Sequence, residues 1–346
     1  MSFQHILIRS ALILSAGFAA GVPSLRAAGP SLPIFDALGL TAAEVAAVDA
    51  GRAVAKVLSW GGPSEVYVFG AVRIDGAADV YLKAMRDISR LRANPGFLGA
   101  GELRPGMSAA DLTSLVFDDD DVEALRACRE GDCDVQLPAA SIEAFRSRIN
   151  WSRPDAGEQV NAMARPMLLE LLRMYQQGGN QALGDYRDKK NPARIAEAFA
   201  RMMTRATVLP DVLPELRRYL LDYPNATLPG SDSYFFWEKV EFGLKPTLRL
   251  NHAVIHRSRT PDRNVATVAI KQLYASHYFH AALDVSACVD DAVGGRRGFY
   301  LLTLKGSSQA GLTGPKGSLL RSVVVDKTRT ALERSLAGVK RMVEGR

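Results

Sequence analysis

The residues with the most capacity for chemistry are four histidines in two short segments. The segment "LRLNHAVIH" carries His252 and His256, and the segment "YASHYFHAAL" carries His277 and His280. Histidine can act as a general base near neutral pH, bind a metal ion, or orient the polar group of a ligand. It also occurs as a hydrogen-bonded core residue. The residue types leave all four roles open until the surrounding elements place the side chains.

The sequence contains none of the motifs that would fix one of these roles, such as G-x-S-x-G, a P-loop or H-E-x-x-H. Two histidines and a carboxylate such as Glu238 or Glu241 would make a chemically reasonable zinc site. However, His252 and His256 lie on a predicted strand, not on a helix. The run "DDDD" at 118–121 lacks the alternating ligands and central glycine of an EF-hand loop, and favours a helix N-terminus. We therefore predict no metal site and no cofactor.

The composition predicts a folded protein without nucleic-acid-binding character. The 346 residues are 47% apolar, which is enough for a sizeable core. The formal charge is +6, and without Arg9 and Arg26 in the N-terminal segment 41 basic residues face 37 acidic ones, an excess of +4. The basic residues are scattered and no nucleic-acid-binding signature is visible.

The N-terminal segment has the pattern of a secretory signal peptide. A short stretch with Arg9 leads into an apolar run from Ala11 to Val22, followed by small residues. That run is too short to span a bilayer comfortably. We predict that residues 1–28 are a signal peptide and that the mature protein is periplasmic or secreted, with an uncleaved membrane anchor as the alternative.

The three cysteines are consistent with an oxidising compartment. Cys128 and Cys133 lie five apart around the Gly131-Asp132 turn of "CREGDC". In an exported protein this spacing predicts a small-loop disulfide. Cys288 lies in an apolar, strand-like run and is predicted to be a buried free thiol.

The pattern after residue 36 predicts an α+β fold. The strand "SEVYVFGAVRI" (64–74) leads into a helix, and residues 94–230 follow as a mainly helical insertion. From residue 233 the alternation of apolar and polar residues predicts antiparallel strands.

Two features close the chain. The stretch "GSSQAGLTGPKGS" is rich in glycine and predicts a loop. After it, an apolar stripe predicts a helix over about 323–343. The fold class is therefore an α+β arrangement of a curved antiparallel sheet and a long C-terminal helix, with a large helical insertion.

The phrase "VFGAVRIDGAADVYLKAMRDI", followed by helices, antiparallel strands and one long C-terminal helix, resembles the START-like (helix-grip) superfamily. The resemblance covers about 64–92 and 233–343, and makes residues 36–346 one domain with an insertion. Members often have an Ile-Asp-Ala-Pro type of turn after the first of these strands, where this chain has Gly76-Ala77-Ala78. The resemblance implies a ligand cavity between the sheet and the C-terminal helix.

What the resemblance implies about function is the binding of a lipid, sterol-like, polyketide or aromatic molecule. The superfamily includes carriers and some cyclases, so the fold does not settle catalysis. Binding of such hydrophobic small molecules would also be compatible with peripheral contact between this protein and a membrane.

Strand alternation supplies the candidate ligand contacts. His252 and His277 each interrupt an apolar strand face, and we expect them, with Tyr274 and Arg249, to provide polar contacts in a mostly apolar pocket. Two alternatives remain open. One is an enzyme on the same scaffold that uses a histidine or a metal. The other is an envelope protein that docks partners on the helices of 155–223.

Overall fold

The structure is a computed structural model that describes residues 32–93, 96–206, 213–241, 245–259, 263–291 and 297–346. It is an α+β architecture with one large curved antiparallel sheet, a C-terminal helix and several further helices. This confirms the fold class predicted from the sequence. The predicted signal peptide, 1–28, lies outside the described residues. Within the described ranges, no helix combines the length and the apolarity that crossing a bilayer requires.

Eight strands form the main sheet, and all neighbouring pairs are antiparallel. They are β1 (Val54–Leu58), β2 (Glu65–Ile74), β3 (Phe97–Leu103), β6 (Asp232–Glu241), β7 (Pro246–Arg259), β8 (Asn264–Ala275), β9 (Phe279–Asp290) and β10 (Phe299–Gln309). Their order is β1-β2-β10-β9-β8-β7-β6-β3. A separate two-stranded ladder joins β4 (Asp185–Tyr186) to β5 (Ala193–Arg194).

The α-helices are α1 (Pro33–Ala37), α2 (Ala42–Asp49), α3 (Ala78–Arg86), α4 (Asp119–Ala127), α5 (Ala139–Arg148), α6 (Ala156–Gly178), α7 (Ile195–Arg205), α8 (Pro214–Asp222) and α9 (Gly314–Glu344). Among the described residues, three 3₁₀ helices cover Ile88–Ala93, Ala109–Leu112 and Gly179–Leu183. The acidic run is a helix N-terminus, as expected, because Asp118 caps α4 by accepting from the Asp121 N–H.

Both faces of the sheet are covered, and the alternation along β2 shows this directly. Val66, Val68 and Val72 share a core with α3 and α9, on what we name the C-helix face. Tyr67 and Phe69 share a core with α1, α2, α7 and α8, on what we name the insertion face. Helices α4 to α6 extend the cover of the insertion face over β6 and β7. Every residue of β2 is therefore buried.

The C-terminal helix runs alongside β2. Arg321 Nη2 donates to the Glu65 carbonyl near one end, and Lys340 Nζ donates to the Arg73 carbonyl near the other. Between them, a Cβ on Gly70 would lie 2.7 Å from Leu336 Cδ1, so glycine permits the close approach of helix and strand. The helix begins at Gly314, before the predicted start at 323. Pro315 lies in its first turn, where proline is compatible with a helix and does not mark a loop.

The segment predicted as a helical insertion also contains an edge strand. β3 pairs with β6 in the register Gly101↔Trp237. Glycine in this strand lowers its β propensity, which explains why the sequence pattern did not indicate it. Gly101 is required because a Cβ there would lie 2.6 Å from Trp237 Nε1. The stretch "DVQLP" (134–138) has the alternating pattern of a short strand but forms none.

Candidate functional site

Four polar side chains form a cluster on the C-helix face of β6, β7 and β8. Glu238 lies opposite Arg249 in the β6–β7 ladder, and Asn251 lies opposite Gln272 in the β7–β8 ladder. Arg249 Nη1 is 3.1 Å from Glu238 Oε1, and Asn251 Nδ2 donates to the same oxygen at 3.1 Å. Gln272 Nε2 donates to the Phe279 carbonyl at 3.2 Å. We refer to Glu238, Arg249, Asn251 and Gln272 as the polar cluster.

The polar cluster is buried but not fully hydrogen-bonded. Asn251, Gln272 and Glu238 are 0%, 3% and 6% exposed. Arg249 Nε, Asn251 Oδ1 and Gln272 Oε1 have no hydrogen-bond partner among the described residues. Burial raises the pKa of Glu238, an effect that the Arg249 charge opposes. Leaving a buried polar atom unpaired costs about 1–3 kcal/mol, so one free donor and two free acceptors in one place call for a functional explanation.

The C-helix face is incompletely covered next to the polar cluster. Ile270, Asp284 and Lys305 are only half-buried, and the last two form an ion pair. The Phe279 ring lies 5.7 Å from the Arg249 guanidinium carbon. Met85 of α3 and Val324 and Val325 of α9 are partly buried at the margins of the core on this face. The polar cluster thus borders two half-buried apolar side chains, Ile270 and Phe279, and a half-buried ion pair.

His252 lies on the opposite, insertion face. Its Nδ1 is 3.0 Å from Tyr175 Oη and its Nε2 is 2.8 Å from Ser233 Oγ. Four aromatic rings surround the imidazole at centroid distances of 4.6 to 6.0 Å: those of Tyr175, Tyr219, Tyr223 and Phe235. Burial lowers the pKa of His252 to about 3. The imidazole is therefore neutral at pH 7.

Lys271 lies beside His252 on the same face and is also completely buried. Its Nζ is 3.2 Å from Tyr175 Oη and donates to Asn180 Oδ1. It lies over the rings of Phe199 and Tyr175, at 4.3 and 4.7 Å from their centroids. Burial lowers the pKa of Lys271 well below its usual value. Lys271 is therefore a core lysine whose amine has no carboxylate partner among the described residues, which is an uncommon feature.

His277 is held by hydrogen bonds at both ring nitrogens. Nδ1 donates to the Asp134 carbonyl at 2.9 Å, since a carbonyl can only accept, and Nε2 is 2.7 Å from Asp121 Oδ1. The ring is nearly inaccessible. It ties the turn between β8 and β9 to the N-terminus of α4 and to the segment after the Cys128–Cys133 disulfide, whose Cα atoms are 4.4 Å apart.

Tyr274 packs edge-on against Tyr186, with ring centroids 6.0 Å apart, beneath the inserted helices. Its hydroxyl has no hydrogen-bond partner among the described residues. His256 is buried, with its Nε2 3.9 Å from Glu215 Oε2. His280 is partly buried on the wall of a surface pocket of about 590 Å³ that also contains Arg201.

The structure separates the four candidate ligand contacts. Arg249 is on the C-helix face, whereas His252, Tyr274 and His277 lie beneath the helices of the insertion face, in distinct surroundings. Alternation does not predict this arrangement along β8, because the register shift beside Leu250 and Asn251 puts Gln272 and Tyr274 on opposite faces. It also does not predict which face the C-terminal helix covers.

The candidate ligand contacts expected from the sequence do not include Asn251 and Gln272 of the polar cluster. The signal that could have found them is the alternation of Arg249 and Asn251 against the apolar Leu248 and Leu250. Lys271 and Tyr175 gave no signal, because a buried lysine and a core tyrosine look ordinary in sequence.

Within the described residues, no group of three or more His, Cys, Asp or Glu side chains is placed to hold a metal ion. Neither a protein-family model nor a curated protein matches this chain. The observations that bear on function are therefore the buried polar groups on the two faces of the sheet.

Proposed function

We propose that the protein is an exported binding protein for a hydrophobic small molecule or lipid, held on the C-helix face between the sheet and α9. The observation that supports this most directly is the polar cluster, whose buried free donor and acceptors lie beside half-buried apolar side chains. Sites for small molecules combine a mostly apolar lining with a few placed polar groups. The resemblance to START-like proteins implies a ligand at the same place.

The polar cluster selects the chemistry of the ligand's polar end. Arg249 Nε can donate a hydrogen bond, while Asn251 Oδ1 and Gln272 Oε1 can accept one. A hydroxyl group both accepts and donates, so it matches this set. The Arg249 charge is already balanced by Glu238, so the cluster does not favour a carboxylate. We propose a ligand with an apolar body and a hydroxyl group.

Export of the protein is part of the proposal. It is supported by the signal-like N-terminal sequence and by the Cys128–Cys133 bridge, because disulfides persist in oxidising compartments.

The docking alternative lacks an exposed apolar surface on the helices of 155–223 to support it. Of the described residues there, Met174 is exposed, at 42%, whereas Leu168, Leu172 and Tyr175 are buried in the core.

The test compares three probes of equal chain length: hexadecanol, palmitate and hexadecane. Hexadecanol should bind and raise the Tm more than the other two, because it alone combines an apolar chain with a neutral hydroxyl. Gln272→Leu should weaken its binding about tenfold, since a polar group left unpaired in a buried site costs about 1–3 kcal/mol. Gln181→Leu, at an exposed position, is the matched control and should leave binding unchanged.

Native mass spectrometry and lipid analysis of the gently extracted protein complete the test. The proposal fails if the protein carries no lipid and none of the three probes changes its Tm. It also fails if Gln272→Leu and Gln181→Leu bind hexadecanol equally well.

A further inference from the structure

A chain of hydrogen bonds on the insertion face leads from solvent into the core. It begins at Ser233, which is exposed, and passes through His252 Nε2 at 2.8 Å. It continues from His252 Nδ1 to Tyr175 Oη at 3.0 Å and from there to Lys271 Nζ at 3.2 Å. It ends at Asn180 Oδ1. An exposed serine bonded to an imidazole, whose other nitrogen is held by a third group, is the arrangement of an activated nucleophile.

The charge on Lys271 sets which atom donates and which accepts in each hydrogen bond of this chain. A neutral amine has a lone pair, so it can accept the Tyr175 proton while one of its own N–H groups donates to Asn180. Tyr175 Oη then accepts from His252 Nδ1–H, which leaves the Nε2 lone pair facing the Ser233 hydroxyl. An ammonium can only donate. It would reverse the bonds from Lys271 through Tyr175 and His252 to Ser233, and would make Nε2 a donor to Ser233.

The surroundings of Lys271 favour the neutral amine. It is completely buried, and its polar contacts are Asn180 and the Tyr175 hydroxyl. The titratable groups that face the chain are Tyr175 from α6, Tyr219 from α8, Tyr223 beyond it, and His252 from β7. Neither Tyr175 nor Tyr223 carries a negative charge near pH 7, because burial raises the pKa of each hydroxyl. The two cation–π contacts of Lys271 do not match the cost of burying its charge.

Tyr219 adds a contact that fits the same direction. Its hydroxyl donates to Ser233 Oγ at 3.4 Å, which leaves the Ser233 hydrogen free to point at His252 Nε2. The serine is thus oriented from two sides while its residue stays open to solvent.

We propose that Ser233 is the nucleophile of an acyl-transfer site for small esters, with His252 as the base and Tyr175 and Lys271 as the proton relay behind it. Ser233 Oγ forms a bond to the ester carbonyl carbon and passes its proton to His252 Nε2. His252 Nδ1 passes its proton to Tyr175, and Tyr175 passes its own to Lys271. The relay returns a proton to the departing alkoxide as the carbon–oxygen bond breaks. Water then cleaves the acyl-serine by the same route, giving an acid and an alcohol.

The test uses a fluorophosphonate probe, which forms a serine–phosphorus bond and releases fluoride, followed by intact-mass and peptide analysis. The wild-type protein should gain one probe mass, located at Ser233, and should hydrolyse p-nitrophenyl acetate. Ser233→Ala should lose both. Ser231→Ala is the matched control, because the Ser231 hydroxyl is bonded to the Leu228 carbonyl and lies outside the chain.

The roles of the relay are tested by the pH profile. Protonation of Lys271 reverses the chain, so the labelling rate of the wild-type protein should fall as the pH is lowered. Lys271→Met and His252→Gln should each reduce labelling at pH 8 at least tenfold while circular dichroism stays native.

If no probe is found on Ser233, the assignment of Ser233 as the nucleophile is wrong. A wild-type labelling rate independent of pH, or full labelling of a folded Lys271→Met variant, overturns the relay. The wild-type profile decides the question even if a variant does not fold.

Discussion

His252 shows that a residue singled out for chemistry can be found by its type and still be misplaced by pattern alone. Its strand and its interruption of an apolar face could be predicted. Its partners could not, because Tyr175 lies 77 residues away along the chain and Ser233 lies on a neighbouring strand. The residue type of Arg249 favours a ligand contact and that of Glu238 a metal ligand, but no local pattern shows that the two lie opposite each other and form an ion pair.

The neutral state of His252 should make the protein sensitive to acid. Its pKa is about 3 in the native protein, against an ordinary value of 6.5 when unfolded. Between these values the unfolded chain binds a proton and the native protein does not, so stability falls as the pH drops from 6.5 towards 3. At pH 4 this amounts to about 3 kcal/mol relative to pH 7.

Urea unfolding of the wild-type protein and of His252→Gln at pH 7 and pH 4 measures this contribution. Glutamine does not titrate, so the variant should lose about 3 kcal/mol less between the two pH values. Carboxylates elsewhere contribute equally to both proteins and cancel. An identical loss in the two proteins would mean that His252 is not held neutral by its surroundings.

At the scale of the element, the long strands and the C-terminal helix were predictable because each shows a regular period over many residues. The two elements that deviated have specific reasons. β3 is glycine-containing because Gly101 must admit the Trp237 ring, and α9 starts early because a proline can occupy a first helical turn.

The contact between α9 and β2 makes a prediction about Gly70. A Cβ at this position would lie 2.7 Å from Leu336 and 2.9 Å from Leu332, both buried. Gly70→Ala should therefore lower the free energy of unfolding by about 1–3 kcal/mol through overpacking. Gly157→Ala in α6 is the control, since its Cβ would lie 3.8 Å from Val122, an ordinary contact.

Urea unfolding of both glycine variants measures this difference. The control should be unchanged or slightly more stable, by less than about 1 kcal/mol. Equal stability of the two variants would show that the interface of α9 and β2 has room for a side chain.

At the scale of the whole molecule, one sheet separates two sets of buried polar residues. Asn251 and His252 are consecutive in β7, and they point to opposite faces with different neighbours. Sequence alternation establishes this separation. Which helices cover each face depends on the path of residues 94–230, and no local pattern encodes that path.

Within residues 94–230, a bridge joins Cys128 to Cys133, and it makes a count of thiols for the whole chain informative. Cys288 is 1% exposed, and burial raises the pKa of its thiol, so it should not react in the native protein. A thiol reagent should find no reactive group in the native state, one after denaturation without reductant, and three after reduction. The variant Cys288→Ala should give none before reduction.

The bridge closes a short loop, so replacing both of its cysteines by alanine should cost about 2 kcal/mol, since loop entropy grows only slowly with length. Three thiols in the denatured, unreduced protein would show that the bridge does not form, and the proposal of an oxidising compartment would lose its structural support.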